Sequence, residues 1–200
     1  MTAEECRHFL SSYSFGSLIT ADLQISHVPF IFAQENIVEI HLASGHPQLT
    51  SLKGEMCLLN VLGPHAFIPT HYYLTKPAVP TWNYASVNLK GIATLMSSQQ
   101  LSLSLDKMLG VYQPELIQDK QTLPDEFRQK LMSAITGVKI DLREMNGKLK
   151  LGQHRSAADQ GNVFEQLAKG SEENRCYARF AQDWLATYRP SVLITDPAAR

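Results

Sequence analysis

The chain has 200 residues, 44% of them hydrophobic, and a formal net charge of −1. That length suits one domain with at most a helical appendage, and so small a charge gives no field that would draw the chain to nucleic acid or a membrane surface. Cys6, Cys57 and Cys176 are odd in number and far apart, which argues against a disulfide framework or a CxxC zinc site and fits a reducing, cytoplasmic setting.

No signal-peptide pattern opens the chain, and no apolar run approaches the roughly 18 residues of a membrane helix. Acidic residues after Thr2, with Cys6, Phe9, Leu10 and Tyr13 at helical spacing, predict a helix over 3–13. Gly16–Thr20 and Ile25–Phe32 read as two strands joined at the polar break around Asp22. Ile37–Leu42 is a third, with Val38, Ile40 and Leu42 on one face. Ser44-Gly-His-Pro47 starts a short helix that ends near Lys53-Gly54, with Ser44 as its N-cap. Met56–Leu62 is an apolar strand.

Gly63–Tyr84 holds Pro64, Pro69, Pro77 and Pro80 together with Phe67, Tyr72, Tyr73, Trp82 and Tyr84. Proline fixes φ and removes a donor, so this stretch is expected to be a loop held in one extended shape. Its rings either plug the core or present a planar surface beside His65, His71, Lys76 and Asn83.

Ala85–Leu95 alternates Val87, Leu89, Gly91, Ala93 and Leu95 with mostly polar residues and is the clearest strand. Ser97 or Ser98 caps a helix through Leu101, Leu105, Met108 and Leu109. A polar connection follows, then a short helix from Pro124 to about Met132. Val138, Ile140 and Leu142 alternate with charged residues, and Asn146-Gly147 predicts a type I′ turn with Lys148–Leu151 returning antiparallel. Helices over Ser156–Leu167 and Glu172–Tyr188 close the chain, broken at Gly170. About seven strands without a βαβ rhythm predict an α+β, mainly β fold: a small antiparallel barrel with peripheral helices.

Three groups of residues could carry chemistry. His27, His41, His46, His65 and His71 cluster in sequence without metal-ligand spacing, so no metal is assigned. The junction His41-Leu-Ala-Ser-Gly-His-Pro47 offers backbone amides to an anion at a helix start, or is simply a capped helix. The predicted hairpin delivers Lys150, Gln153 and Arg155 to a strand end, where they could hold a phosphate or the edge of a ring.

Together, Ser26-His-Val-Pro-Phe30, His41-Leu-Ala43, His46-Pro-Gln48, Gly63-Pro-His-Ala-Phe-Ile-Pro69, Val79-Pro-Thr-Trp-Asn-Tyr84, Gly137-Val-Lys-Ile140 and Lys148-Leu-Lys-Leu-Gly-Gln-His-Arg155 resemble the PaiB family. These are FMN-binding negative transcriptional regulators with the split-barrel flavin fold. The resemblance implies a split-barrel domain over 1–169, a helical extension over 170–200, and a homodimer with FMN at its interface. It implies that His27, Val28 and Pro29 line the isoalloxazine. His41, Leu42, Ala43, Ser44, His46 and Gln48 would meet the phosphate, and Trp82, Asn83, Lys150, Gln153 and Arg155 would close the site from the neighbouring subunit. DNA is a possible further partner. The sequence departs from the family pattern at Ser44, where an arginine is usual, and serine lacks the phosphate fork. Two other readings stay open on the same fold: an NAD(P)H-linked flavin oxidoreductase, and a haem-binding or haem-degrading protein.

Overall fold

Thr2 accepts a hydrogen bond from the Glu5 N–H while the Glu5 carboxylate accepts one from the Thr2 N–H, and this reciprocal cap starts helix α1 (Ala3–Ser12). In the computed structural model, which describes residues 1–193, the strands that follow are β1 (Phe15–Ile19), β2 (Ile25–Pro29), β3 (Ile31–Gln34) and β4 (Ile37–Ala43). After the short helix α2 (Gln48–Ser51) come β5 (Met56–Ile68) and β6 (Thr81–Leu95). Helices α3 (Ser98–Tyr112) and α4 (Asp125–Ser133) precede β7 (Ile135–Lys150), and α5 (Ala157–Ala168), α6 (Glu172–Tyr188) and α7 (Pro190–Leu193) follow. Residues 194–200, part of the expected extension over 170–200, lie outside the described residues.

The chain divides into two compact units, Met1–Val61 with Val87–Gly147, and Leu62–Ser86 with Lys148 onward. All seven strands contribute to the first unit, in the sheet order β2-β1-β5-β6-β7-β4-β3. Only Phe30 separates β2 from β3, yet these two strands are the opposite edges of the sheet. The sheet therefore has to curl until its edges meet at Phe30, which is buried and donates its N–H to the Ser14 carbonyl. This antiparallel sheet with its helices is a split β-barrel. Leu18, Val28, Val38, Ile40, Leu59, Val87, Leu89, Val138 and Ile140 fill its interior, with Phe9 and Leu10 from α1. The strand predicted over Ile25–Phe32 is thus two strands that serve opposite edges.

In the second unit, Leu62–Ile68 and Thr81–Ser86 continue β5 and β6, and Leu151, Val163, Phe164, Leu167, Tyr177, Ala181 and Leu185 form an apolar core of α5 and α6. Ser156 and Ser171 cap α5 and α6. The stretch expected to be a loop from Gly63 to Tyr84 is irregular only over 69–80, apart from a 3₁₀ turn at Thr70–Tyr72. Pro64 lies beyond Asn60, the end of the β5 register with β1, so its missing N–H interrupts no bond to that strand.

The type I′ turn at Asn146-Gly147 does not form: β7 runs straight through it to Lys150. A Cβ on Gly147 would sit 2.5 Å from Cys6 Sγ and 2.6 Å from Met1 Sδ, and the Gly147 carbonyl accepts from the Met1 ammonium at 3.1 Å. Glycine is there so that the start of the chain can pack against the strand, and that tertiary contact overrides the local turn signal.

Candidate functional site

The hairpin of β1 and β2 pairs Ser17 with His27 in register, so their side chains share one face of the sheet. His27 is exposed and its Nδ1 lies 3.1 Å from Ser17 Oγ. Pro29 is on the same face. Val28, between them, points the other way and is buried in the barrel core, as Leu42 is on β4. The segment His27–Pro29 therefore offers a ligand the His27 and Pro29 side chains, and Val28 only by its backbone.

On β4, His41 is half-buried with no hydrogen-bond partner for Nδ1. Burial pulls its imidazole below the ordinary histidine pKa, which favours the neutral ring. Ala43 and Ser44 are exposed at the strand end.

The expected anion cradle after β4 is not built as the sequence suggested. Helix α2 starts at Gln48 behind Pro47, and Ser44 is not its cap. The Ser44 N–H donates to the Ala134 carbonyl at 2.9 Å, the His46 N–H to the Ala43 carbonyl, and the Gln48 N–H to His46 Nδ1. These three amides are spent within the protein, so a phosphate there would not rest on a helix terminus. Because His46 Nδ1 accepts, its Nε2 carries the proton in the neutral ring and faces Ser26 Oγ at 3.1 Å. Gln48 is fully buried, and its amide donates to the Gln24 carbonyl at 2.9 Å and to Thr20 Oγ1 at 3.2 Å. It pins the β1–β2 turn.

The second unit brings together the other predicted group. Trp82 is 55% exposed and Phe67 45%, with ring centroids 5.8 Å apart, and His65 lies 6.0 Å from Trp82. Alternate residues of these strands are buried, so the rings face outward as an apolar patch, the Phe67 ring tilted by 56° to that of Trp82. Lys148 lies over the Tyr84 ring. Lys150 donates to Thr81 Oγ1. Gln153 folds back on its own turn, accepting from the Leu151 N–H and donating to the Leu149 carbonyl. Asn83 is buried and, with Arg155 and Gln160, lines a cavity of about 10 Å³, enough for one water. Arg155 lies over the Tyr73 ring, and its Nε is buried without a partner.

Sequence reasoning missed Ser17, Ser26, Thr81 and Tyr73 as partners of the expected residues. The register of the Asp22 hairpin could have given Ser17. The others depend on contacts between elements distant in sequence. Among the described residues, no three His, Cys, Asp or Glu side chains converge as a metal site, and no helix is long and apolar enough to cross a membrane.

A curled antiparallel sheet whose edges meet at one residue is the architecture of split-barrel flavin-binding proteins. A family model described as "Putative FMN-binding domain" matches residues 1–144. The chain belongs to this FMN-binding family, of PaiB type, with FMN as its cofactor. It is 33% identical over 183 residues to protease synthase and sporulation protein PAI 2 of Bacillus subtilis, covering 86% of each chain. Among solved structures, it is similar to the FAD and heme binding protein from Mycobacterium smegmatis, with TM-score 0.58 and 14% identity, covering 74% of this chain and 70% of that one. It is also similar to the flavocytochrome Anf3 from Azotobacter vinelandii, with TM-score 0.55 and 15% identity, covering 73% of this chain and 66% of that one, just under two thirds.

The residues present fit a flavin in their chemistry. In the second unit the exposed Trp82 ring suits stacking on a planar group and Arg155 Nε is a buried polar atom without a protein partner; in the first unit, taken by itself, His41 Nδ1 is another.

Proposed function

We propose that this protein works as a cytoplasmic homodimer whose FMN contacts come from two subunits. His27–Pro29 and the His41–His46 segment of one subunit would face Trp82, Lys150, Gln153 and Arg155 of the other, while Asn83 and Gln48, both buried, stay out of contact with the ligand. The FMN-loaded dimer would act as a negative regulator of transcription. When bound, FMN supplies reversible electron transfer. The protein residues have simpler tasks. Trp82 stacks on the ring and excludes water, His27 and His41 offer hydrogen bonds at its edge, and Lys150 and Arg155 carry positive charge for the phosphate. Ser44, where family members usually carry arginine, contributes a hydroxyl only.

The observation that carries this reading is the exposure of Trp82 beside Phe67. Two large rings facing outward on strands with buried alternate residues leave an apolar patch, and the exposed Trp82 ring gives it a flat face that a stacked ligand and a second subunit would cover. The test is the visible spectrum of the purified protein before and after FMN is added, with light scattering on the same samples. Saturation near one FMN per subunit on a dimer supports it. A colourless monomer that ignores FMN overturns it. Stopped-flow mixing of the loaded protein with NADH separates a regulator from a reductase. Affinity for DNA, if present, should fall steeply with salt.

A further inference from the structure

The first unit contains a cleft of about 300 Å³ between α3, α4 and the sheet. Leu105 and Leu109 of α3, Leu131 of α4 and Ile135 of β7 form its walls, and Pro29 and His41 contribute from the sheet. Its lining is almost entirely carbon. Helix α4 has no buried residue, so packing alone does not fix it over the barrel. Polar ties hold it instead. Arg128 of α4 pairs with Asp106 of α3 at 2.7 Å and donates to the Ser102 carbonyl at 3.1 Å. At the other end of α3 the Tyr112 hydroxyl lies 3.0 Å from both the Ser14 and the Phe30 carbonyls.

A sizeable, well-formed apolar cleft with few polar groups is the usual form of a small-molecule site. Here, the two ties brace α3 and α4 at fixed positions, so the cleft stays open. We propose that this cleft is a binding site for a neutral, apolar small molecule of about two fused rings. The size follows from the volume, since an apolar cavity of about 150 Å³ takes a benzene. The lack of charge follows from the lining. Arg128 is engaged by Asp106 and Ser102, and no other cation borders the cleft except His41, whose burial favours the neutral ring. A charged ligand would lose its hydration without compensation.

The proposal goes beyond FMN binding and does not depend on it, although Pro29 and His41 appear in both. The probe is 1-naphthylamine, added to the full chain with and without FMN and followed by its fluorescence and by methyl NMR. Saturable binding that shifts the Leu105, Leu109, Leu131 and Ile135 methyls in both states is expected. Naphthalene-1-sulfonate, the same rings with a charge, should bind at least about tenfold more weakly. Leu105→Trp, which fills the cleft, should abolish the methyl shifts while the far-ultraviolet spectrum stays native. Should that variant fail to fold, Leu109→Phe gives the same reading with less bulk. Absence of saturable binding, equal affinity for the sulfonate, or shifts confined to the Trp82 surface would overturn the proposal. Displacement of the amine by one equivalent of FMN would also overturn it, by assigning the cleft to the flavin. A protein that takes the amine but no FMN leaves this site standing while the flavin reading falls.

Discussion

The guanidinium carbon of Arg155 lies 4.3 Å from the centroid of the Tyr73 ring, and both residues sit in the second unit, with Tyr73 only 5% exposed. A partly desolvated stack of this kind stabilises by about 1–2 kcal/mol. Arg155→Ala should therefore lower the urea-unfolding free energy by about that much, and Arg155→Lys should recover only part of it, because an ammonium has no plane to lay on the ring. Burial raises the Tyr73 pKa, with Arg155 acting in the opposite direction. Spectrophotometric titration of Arg155→Ala should therefore show a tyrosine ionising later than in the wild type. Unchanged unfolding and titration would remove the stack as a stabilising contact.

Gly147→Ala should destabilise the first unit by about 1–3 kcal/mol, the usual penalty for forcing extra volume into a packed site. The added methyl meets Cys6 Sγ and Met1. Cys6→Ala in the same chain removes one of the clashing atoms, so the double variant should be more stable than the sum of the two single effects. Thermal melts of the four proteins in this cycle decide the matter, and strict additivity would disprove the contact.

Gln48 was expected among the cofactor contacts, but its amide is buried in the β1–β2 turn. Gln48→Leu removes donors to Thr20 and Gln24 and should cost about 1–3 kcal/mol of stability. At temperatures where the variant is folded, FMN affinity should change less than twofold. A large affinity loss in a fully folded variant would restore Gln48 to the ligand's side.

Trp82→Ala removes a ring that is already mostly in water, so the stability of the isolated subunit should change by less than about 0.5 kcal/mol. FMN affinity should fall tenfold or more. In the wild-type protein FMN should quench Trp82 emission, and Trp184→Phe isolates that signal because Trp184 is the other tryptophan. A Trp82→Ala protein with wild-type FMN affinity would exclude stacking on this surface.

Burial raises the Cys57 thiol from 9.0 to about 11. The native state then holds a proton that the unfolded chain releases, so stability is intact below about pH 9 and declines as pH rises toward 11. Cys57→Ala should show a shallower decline over that window in urea titrations at stepped pH. Parallel curves for the two proteins would show that Cys57 does not titrate in this way.

The sequence by itself determined the longer helices, most strands and the class of ligand. Thr2, Ser97, Ser156 and Ser171 sit at helix starts because a side-chain oxygen satisfies a free N–H over three residues, an interaction that is local and therefore legible. The alternation of Val87, Leu89, Gly91 and Ala93 marked the buried face of β6 for the same reason, since a strand's period needs no partner to be seen. Only the tertiary structure decided that β2 and β3 part at Phe30 to become opposite edges, because sheet order depends on contacts far apart in sequence. It also decided Gly147, where packing of the chain start replaced the turn that Asn-Gly favours locally. The amides after Ala43 were lost to an anion in the same way: the Ser44 N–H bonds to Ala134, ninety residues along the chain, and no local pattern announces that partner.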